Sequence, residues 1–365
     1  MRFVNDRTTN AFRPLIFKGR GTSSNEVGRF EHLTREQVDD GWGTLDEDLP
    51  PLRTEVTLDA TRSIINYNES PDIPFDRSIN AYRGCEHGCV YCFARPSHAY
   101  LGLSPGLDFE SKLFVKPDAA ALLRKELAHP KYRCAPIAMG TNTDPYQPIE
   151  RQYRATRQIL EVLAECKHPV TIVTKSALIE RDLDILGPMA KLGLAHAAVS
   201  VTTLDRTLSR HLEPRAAAPQ RRLETIARLT EAGVPTTVMT APMIPALNDN
   251  EMEAILEAAH QSGARSAAYV LLRLPHELVG LFEEWLQLHV PLKAEHVMSL
   301  IRQSRGGKAY DSTFHKRMQG EGLFAQMLAQ RFRLAVKRLG LQDRSRLDTT
   351  LFQPPRDNSL QMDLF

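Results

Sequence analysis

Cysteine is scarce in this chain, five among 365 residues, and three of the five crowd into one short segment. Such usage argues against a disulfide framework and for a reducing compartment. Long apolar runs are missing as well: nothing approaches the ~20 residues needed to span a bilayer. The first residues, MRFVNDRTTN, lack the apolar core of a secretory signal. These absences predict a cytoplasmic protein with no membrane association. Strong net charge is also absent, the balance being +2. Apolar residues at 42% and charged residues at 25% are ordinary for a globular chain. The length suits one large domain or two ordinary ones.

The small net charge hides an asymmetry. The stretch 31–50 carries Glu31, Glu36, Asp39, Asp40, Asp46, Glu47 and Asp48 against Arg35. The stretch 302–346 carries Arg302, Arg305, Lys308, Lys316, Arg317, Arg331, Arg333, Lys337, Arg338, Arg344 and Arg346, opposed by Asp311, Glu321 and Asp343. A basic region of this kind suits a polyanion such as nucleic acid. A solvated helix face is the competing reading.

Residues 82–93 read YRGCEHGCVYCF, which sets Cys85, Cys89 and Cys92 in a C-x3-C-x2-C array. A [4Fe–4S] cluster commonly takes four cysteines, so three leave one iron open to a substrate or cofactor. A structural zinc site favours C-x2-C pairs with a distant second pair, and no such pair occurs here. Three unrelated buried thiols are the remaining alternative. The array, with an aromatic residue (Tyr91) before the third cysteine, resembles that of radical S-adenosylmethionine (SAM) enzymes. That resemblance implies an open iron that chelates the methionine amine and carboxylate of SAM. An electron from the cluster then cleaves the sulfonium to a 5′-deoxyadenosyl radical.

The first ~55 residues are polar and weakly periodic and read as a flexible or loosely packed extension. Strand candidates follow at 78–82, 136–140, 169–174, 196–202, 236–241 and 266–272, with amphipathic helices between them. Helical patterns at 149–165 and 219–232 are the clearest, and Gly233 with Pro235 stops the second. Alternating strands and helices imply βα units around a parallel sheet. Six units cannot complete an eight-stranded barrel, so the expected fold is α/β, a partial (β/α)6 TIM-type barrel with an open side. The expected division is an N-terminal extension over 1–60, the partial barrel over 61–292, a basic and mostly helical region over 293–347, and a flexible tail over 348–365.

The cysteines follow the first strand, where a barrel loop on the catalytic face belongs. Later strand ends supply candidate SAM contacts. After the second strand come Asn142, Thr143 and Asp144. The third ends at Lys175, a point charge suited to the methionine carboxylate. The fourth carries Ser200 and Thr202. Polar residues also cap strands and helices for purely structural reasons. His87 reads as a hydrogen-bonding group beside the cluster, and Glu213 as a helix-start carboxylate or a substrate or SAM contact.

The segment from about 61 to 340 resembles the radical SAM proteins similar to spore photoproduct lyase. The matching runs are CEHGCVYC, TNTDPYQ, VTKS, VSVT and APMIPALND. The resemblance implies Cys85, Cys89 and Cys92 on the cluster and SAM contacts at Thr143, Lys175 and Ser200. Two positions depart from the lyase pattern. Gly140-Thr141-Asn142 stand where the lyase has a hydrogen-donor cysteine, and Phe93 stands where it has a tyrosine after the third cluster cysteine. A phenylalanine has no phenolic O–H to relay a hydrogen atom, so the lyase relay is incomplete, and Tyr91 remains as the candidate catalytic residue.

These features predict a radical SAM enzyme acting on nucleic acid in repair or modification, served by a reductant such as flavodoxin or ferredoxin. The alternatives are the same chemistry on a protein or small metabolite, and an iron–sulfur sensor or clamp-associated module without turnover. The terminal QMDLF resembles a bacterial sliding-clamp-binding peptide, with Gln361 as polar anchor and Leu364 and Phe365 as apolar plugs.

Overall fold

Ten strands organise the computed structural model, which describes residues 19–31, 52–343 and 345–355. They are β1 (Glu55–Leu58), β2 (Ile65–Tyr67), β3 (Arg77–Ile79), β4 (Tyr82–Arg83), β5 (Lys112–Val115), β6 (Ile137–Met139), β7 (Val170–Thr174), β8 (Ala195–Ser200), β9 (Thr236–Met243) and β10 (Ser266–Leu271). The main sheet runs β10-β9-β8-β7-β6-β3-β2. Its strands β3 and β6 to β10 pair in parallel, each with its neighbour in chain order. Strand β2 flanks β3 antiparallel. Strands β3 and β10 do not pair with each other, so the six-unit array stays open, as its strand count requires.

The sheet forms where the sequence is apolar and β-branched. Along β7, Val170, Ile172 and Thr174 are buried, and they alternate with the half-buried Thr171 and Val173. Helices cover the outside. In the helix Pro219–Glu231, Leu223, Ile226 and Leu229 form the buried stripe. Gly233, at φ +78°, lets the chain leave that helix in the left-handed region.

Three expectations need correction. The first predicted strand, 78–82, divides: β3 joins the main sheet, while β4 pairs with β5 in a second sheet of order β1-β5-β4. The predicted helix 149–165 breaks at Arg154, whose φ is +52°. There the Glu150 carboxylate accepts the Thr156 N–H at 3.0 Å and starts the following helix, Ala155–Glu165. The described parts of the segments expected to be loose, residues 19–31, 52–60 and 348–355, are seated on the fold. Arg20 and Gly21 bond to Glu110, Arg29 bonds to Glu277, and β1 joins the second sheet. Residues 341–343 and 345–353, crossing into the predicted tail, lie over the N-terminal ends of the strands. Asp343 N–H donates to Arg265 O, Asp348 N–H to Gly193 O and Gln353 N–H to Cys166 O. Gln361, Leu364 and Phe365 lie outside the described residues. No described helix is long and apolar enough to cross a membrane.

The basic region is helical, with helices Ala294–Gln303, Lys316–Gln319 and Gly322–Leu339. Its charge is partly spent inside the fold. Arg302 pairs with Glu283, Lys316 with Glu321, Arg317 with Asp72, and Arg331 with Glu253. Arg305 is buried and donates to the carbonyls of Leu271, Leu272 and Lys316.

Candidate active site

The cysteine loop follows β4 at the C-terminal end of the parallel strands. Its turns are built by Cys85 O accepting from Gly88 N–H (3.3 Å) and Cys89 O accepting from Cys92 N–H (3.2 Å). Gly88 has φ +66°, and a Cβ there would stand 2.6 Å from the Glu110 carboxylate, so a glycine is required. Cys85 and Cys89 are buried and Cys92 is half-buried. Burial, the Asp144 charge and the neighbouring thiols push the Cys85 thiol well up; burial does the same for Cys89, partly countered by Lys175. Cys134 and Cys166 precede β6 and β7, at the opposite end of the strands, so neither supplies a fourth ligand.

Arg95 fixes the loop's shape. Its guanidinium, fully buried, donates to Cys89 O (2.8 Å), Gly88 O (3.1 Å), Pro105 O (3.1 Å), Gly106 O (2.9 Å) and the Glu110 carboxylate (2.6 Å). Glu110 also accepts from the N–H groups of Gly21 (2.8 Å) and Thr22 (3.0 Å). A Cβ on Gly21 would overlap Gly88 O at 1.7 Å, so the N-terminal segment lies directly on the loop. Gln147 holds the other side: its side chain accepts from Glu86 N–H (2.9 Å) and donates to Gly84 O (3.2 Å).

The strand ends bring most of the expected residues to this loop. Asp144 accepts from Thr174 Oγ1 (2.7 Å), Lys175 N–H (2.8 Å) and Tyr146 N–H (2.9 Å), and His87 Nδ1 stands 3.3 Å from it. Burial alone would raise its pKa; His87 and the N–H and O–H donors outweigh that and bring it down to about 2. The Lys175 ammonium lies 5.8 Å from the centre of the Tyr91 ring. Tyr91 donates its phenol to Glu213 and stands 3.3 Å from Thr202 Oγ1, which itself donates to Glu213 at 2.7 Å. Ser200 is buried, and its carbonyl accepts from Arg222 at 3.0 Å.

Three other expected residues have their own surroundings. The Thr143 hydroxyl donates to Tyr82 O (3.2 Å), and Asn142 lines a neighbouring polar pocket. Glu213 is at the end of the helix Arg206–Leu212, not at a helix start, and its second oxygen takes the buried Arg222 guanidinium. Arg222, Arg95, Glu110 and Gln147 were not found from the sequence. Gln147 lay inside a matching run, TNTDPYQ, without a role read from it. Phe93 is exposed at its site, with the Arg273 guanidinium 5.0 Å from its ring centre.

The donor chemistry fits an iron–sulfur cluster. Three thiols share one loop at the catalytic end of the strands, a cation approaches from Lys175, and the half-buried Cys92 leaves an approach. Among the described residues, no three His, Cys, Asp or Glu side chains are grouped closely enough to hold a single metal ion. A cluster that presents a different iron to each thiolate needs its ligands further apart than one ion does.

Residues 79–259 match the family model described as the Radical SAM superfamily. An uncharacterized protein of Mycobacterium tuberculosis is 38% identical over 233 residues, covering 63% of this chain and 68% of that protein. An uncharacterized protein of Methanocaldococcus jannaschii is 28% identical over 173 residues, 47% of this chain and 62% of that one. Among solved structures, spore photoproduct lyase complexed with dinucleoside spore photoproduct superposes with a TM-score of 0.54 at 15% identity, over 78% of each chain. That likeness is one of fold. The cysteine array on the first loop of an open six-unit βα sheet and the matches in sequence agree: the chain belongs to the radical SAM superfamily, whose enzymes use a [4Fe–4S] cluster and SAM.

Proposed function

We propose that this radical SAM enzyme holds its cluster on Cys85, Cys89 and Cys92 and acts on nucleic acid. The observation that carries the reading is the convergence of Lys175 and the Tyr91–Glu213–Thr202 group on the cysteine loop at one end of the parallel strands. When bound, the cluster and SAM together supply a 5′-deoxyadenosyl radical for hydrogen abstraction. In this reading Lys175 faces the methionine carboxylate, while Tyr91, Ser200 and Thr202 line the nucleoside side. Asp144 orders the turn that carries Asn142 and Thr143. Burial of Arg222 against Glu213 fixes the Tyr91 phenol in place.

The nucleic-acid substrate is supported by the fold shared with spore photoproduct lyase, solved with a dinucleoside photoproduct, and by Lys308, Arg333, Lys337 and Arg338, which are exposed. The charge that is spent in internal ion pairs favours a second reading, a small-metabolite or protein substrate. Salt dependence separates them: nucleic-acid binding loses affinity steeply between low and physiological salt. Anaerobic incubation of the reconstituted protein with reductant, SAM and damaged or undamaged DNA, with product analysis, tests the activity. Absence of 5′-deoxyadenosine, or equal formation by Cys89→Ala, overturns the enzymatic reading and favours a sensor.

A cytoplasmic location and a flavodoxin- or ferredoxin-like electron donor belong to the same proposal. The terminal peptide with Gln361, Leu364 and Phe365 is proposed to dock on a sliding clamp. Deleting 361–365 and measuring clamp binding by fluorescence polarisation checks it; unchanged affinity sinks the idea.

A further inference from the structure

Beside the cysteine loop, a pocket of about 470 Å³ opens between the C-terminal ends of β3 and β6 and the second sheet. Its walls are mostly polar and include Ser63, Asn66, Asn80, Arg83, Lys116 and Asn142. A cavity of this size suits a small ligand. Lys116 is the unusual member. It is only 7% exposed, yet its ammonium makes no hydrogen bond and no ion pair among the described residues. Burial, and then the nearby Arg83 charge, lower its pKa, and the more distant charges of Asp59 and Glu126 oppose this without reaching it as ion pairs. The ammonium itself keeps some contact with solvent, and a bound anion offsets the partial desolvation of a cation that has no protein partner.

The neighbouring cation does not relieve Lys116. Arg83 is occupied by Asp59 at 2.6 Å. The amides are placed around it. Asn80 holds the turn after β6 by accepting the N–H groups of Asn142 (3.1 Å) and Thr143 (3.3 Å), and Asn142 is part of the pocket wall. One ammonium in a pocket that amide and hydroxyl residues also line matches an anion that accepts several hydrogen bonds, which is the chemistry of phosphate.

We infer that this pocket binds the phosphate of a nucleotide, with Lys116 as its charged contact and Asn142 as a hydrogen-bonding one. The inference deepens the nucleic-acid reading and rests on it for the source of the phosphate. The pocket lies on the strand that leads directly into Cys85, so a phosphate held there sets a nucleotide beside the cluster loop. Of the residues after the second strand expected to contact SAM, Asn142 is thereby assigned to the substrate.

The test titrates the full-length protein with inorganic phosphate, dTMP and uncharged thymidine by calorimetry, and separately with a short single-stranded oligonucleotide. Phosphate and dTMP are expected to bind, with thymidine about tenfold weaker or worse, as the loss of one charged hydrogen bond implies. Lys116→Gln and Lys116→Met should each lose about tenfold in dTMP affinity, while Lys116→Arg keeps most of it. Thermal melts confirm that the variants fold, and Asn142→Ala provides an independent surface variant with a smaller loss. Equal dTMP affinity in wild type and folded Lys116→Gln, or no binding of phosphate and dTMP by wild type, overturns the site. Lys116-dependent dTMP binding without oligonucleotide binding supports the pocket and removes the nucleic-acid reading instead.

Discussion

The Arg95 guanidinium meets the Glu110 carboxylate at 2.6 Å, and neither side chain has solvent exposure. The pair joins the cysteine loop to the N-terminal segment, because Arg95 also takes Gly88 O and Cys89 O while Glu110 also takes Gly21 and Thr22. Glu110→Ala leaves a buried guanidinium uncompensated and should cost about 3–5 kcal/mol. Urea unfolding measures the loss. Limited proteolysis should cut near residues 20–30 in the variant and spare them in wild type.

Iron loading distinguishes the five thiols. Cys85→Ala, Cys89→Ala and Cys92→Ala should each fail to retain a full cluster after anaerobic reconstitution. Cys134→Ala and Cys166→Ala, at the other end of the strands, should retain wild-type iron and sulfide. Iron and acid-labile sulfide per chain are the measurement, and equal loading of Cys89→Ala would overturn the ligand assignment.

Lys175 approaches the Tyr91 ring from the end of β7. Lys175→Met should weaken SAM binding about tenfold, the loss of one charge-assisted contact, and leave iron content unchanged. Equilibrium dialysis with the loaded enzyme reads the affinity. A wild-type dissociation constant in the variant would remove Lys175 from the carboxylate site.

The Glu213 network predicts unequal costs for its members. Glu213→Ala strands the buried Arg222 and should cost about 3–5 kcal/mol. Tyr91→Phe removes one of several bonds to Glu213 and should cost about 1 kcal/mol. Chemical denaturation of the two variants compares them; equal losses would argue that Arg222 finds another partner.

His168 supplies a pH dependence far from the cysteines. Its ring is buried between Tyr132 and Phe352, with Nε2 2.7 Å from the Tyr132 hydroxyl and Nδ1 3.0 Å from Pro169 O. A neutral ring satisfies both contacts by donating from Nδ1 and accepting at Nε2. Burial pulls its pKa from 6.5 down to about 4; the Pro169 carbonyl opposes this and the Arg77 charge adds to it. The unfolded chain therefore takes a proton that the folded chain refuses. The stability from His168 is full above about pH 6.5 and declines as pH falls towards 4, by about 3 kcal/mol in all. Urea midpoints across this window should fall less steeply in His168→Asn than in wild type.

Local pattern carried much of the fold. The predicted strands at 169–174, 196–202, 236–241 and 266–272 correspond to β7 to β10 within a few residues, since a buried parallel strand shows as a short apolar run. The helix stop at Gly233 was equally legible, because a left-handed exit favours glycine. Arg154 was not: its break depends on Glu150 turning to cap Thr156, a choice of hydrogen-bond partner that periodicity does not encode.

By itself, the sequence determined the cysteine array, the parallel βα order and the delivery of Lys175, Ser200 and Thr202 to strand ends. Each of these follows from spacing along a regular backbone. Only the tertiary structure decided what those groups meet. It set Glu110 against Arg20 across 90 positions, Tyr91 against Glu213 across 122, and Asn142 in the same pocket wall as Lys116. Buried polar groups must find partners wherever packing places them, and that requirement is met in space rather than along the chain.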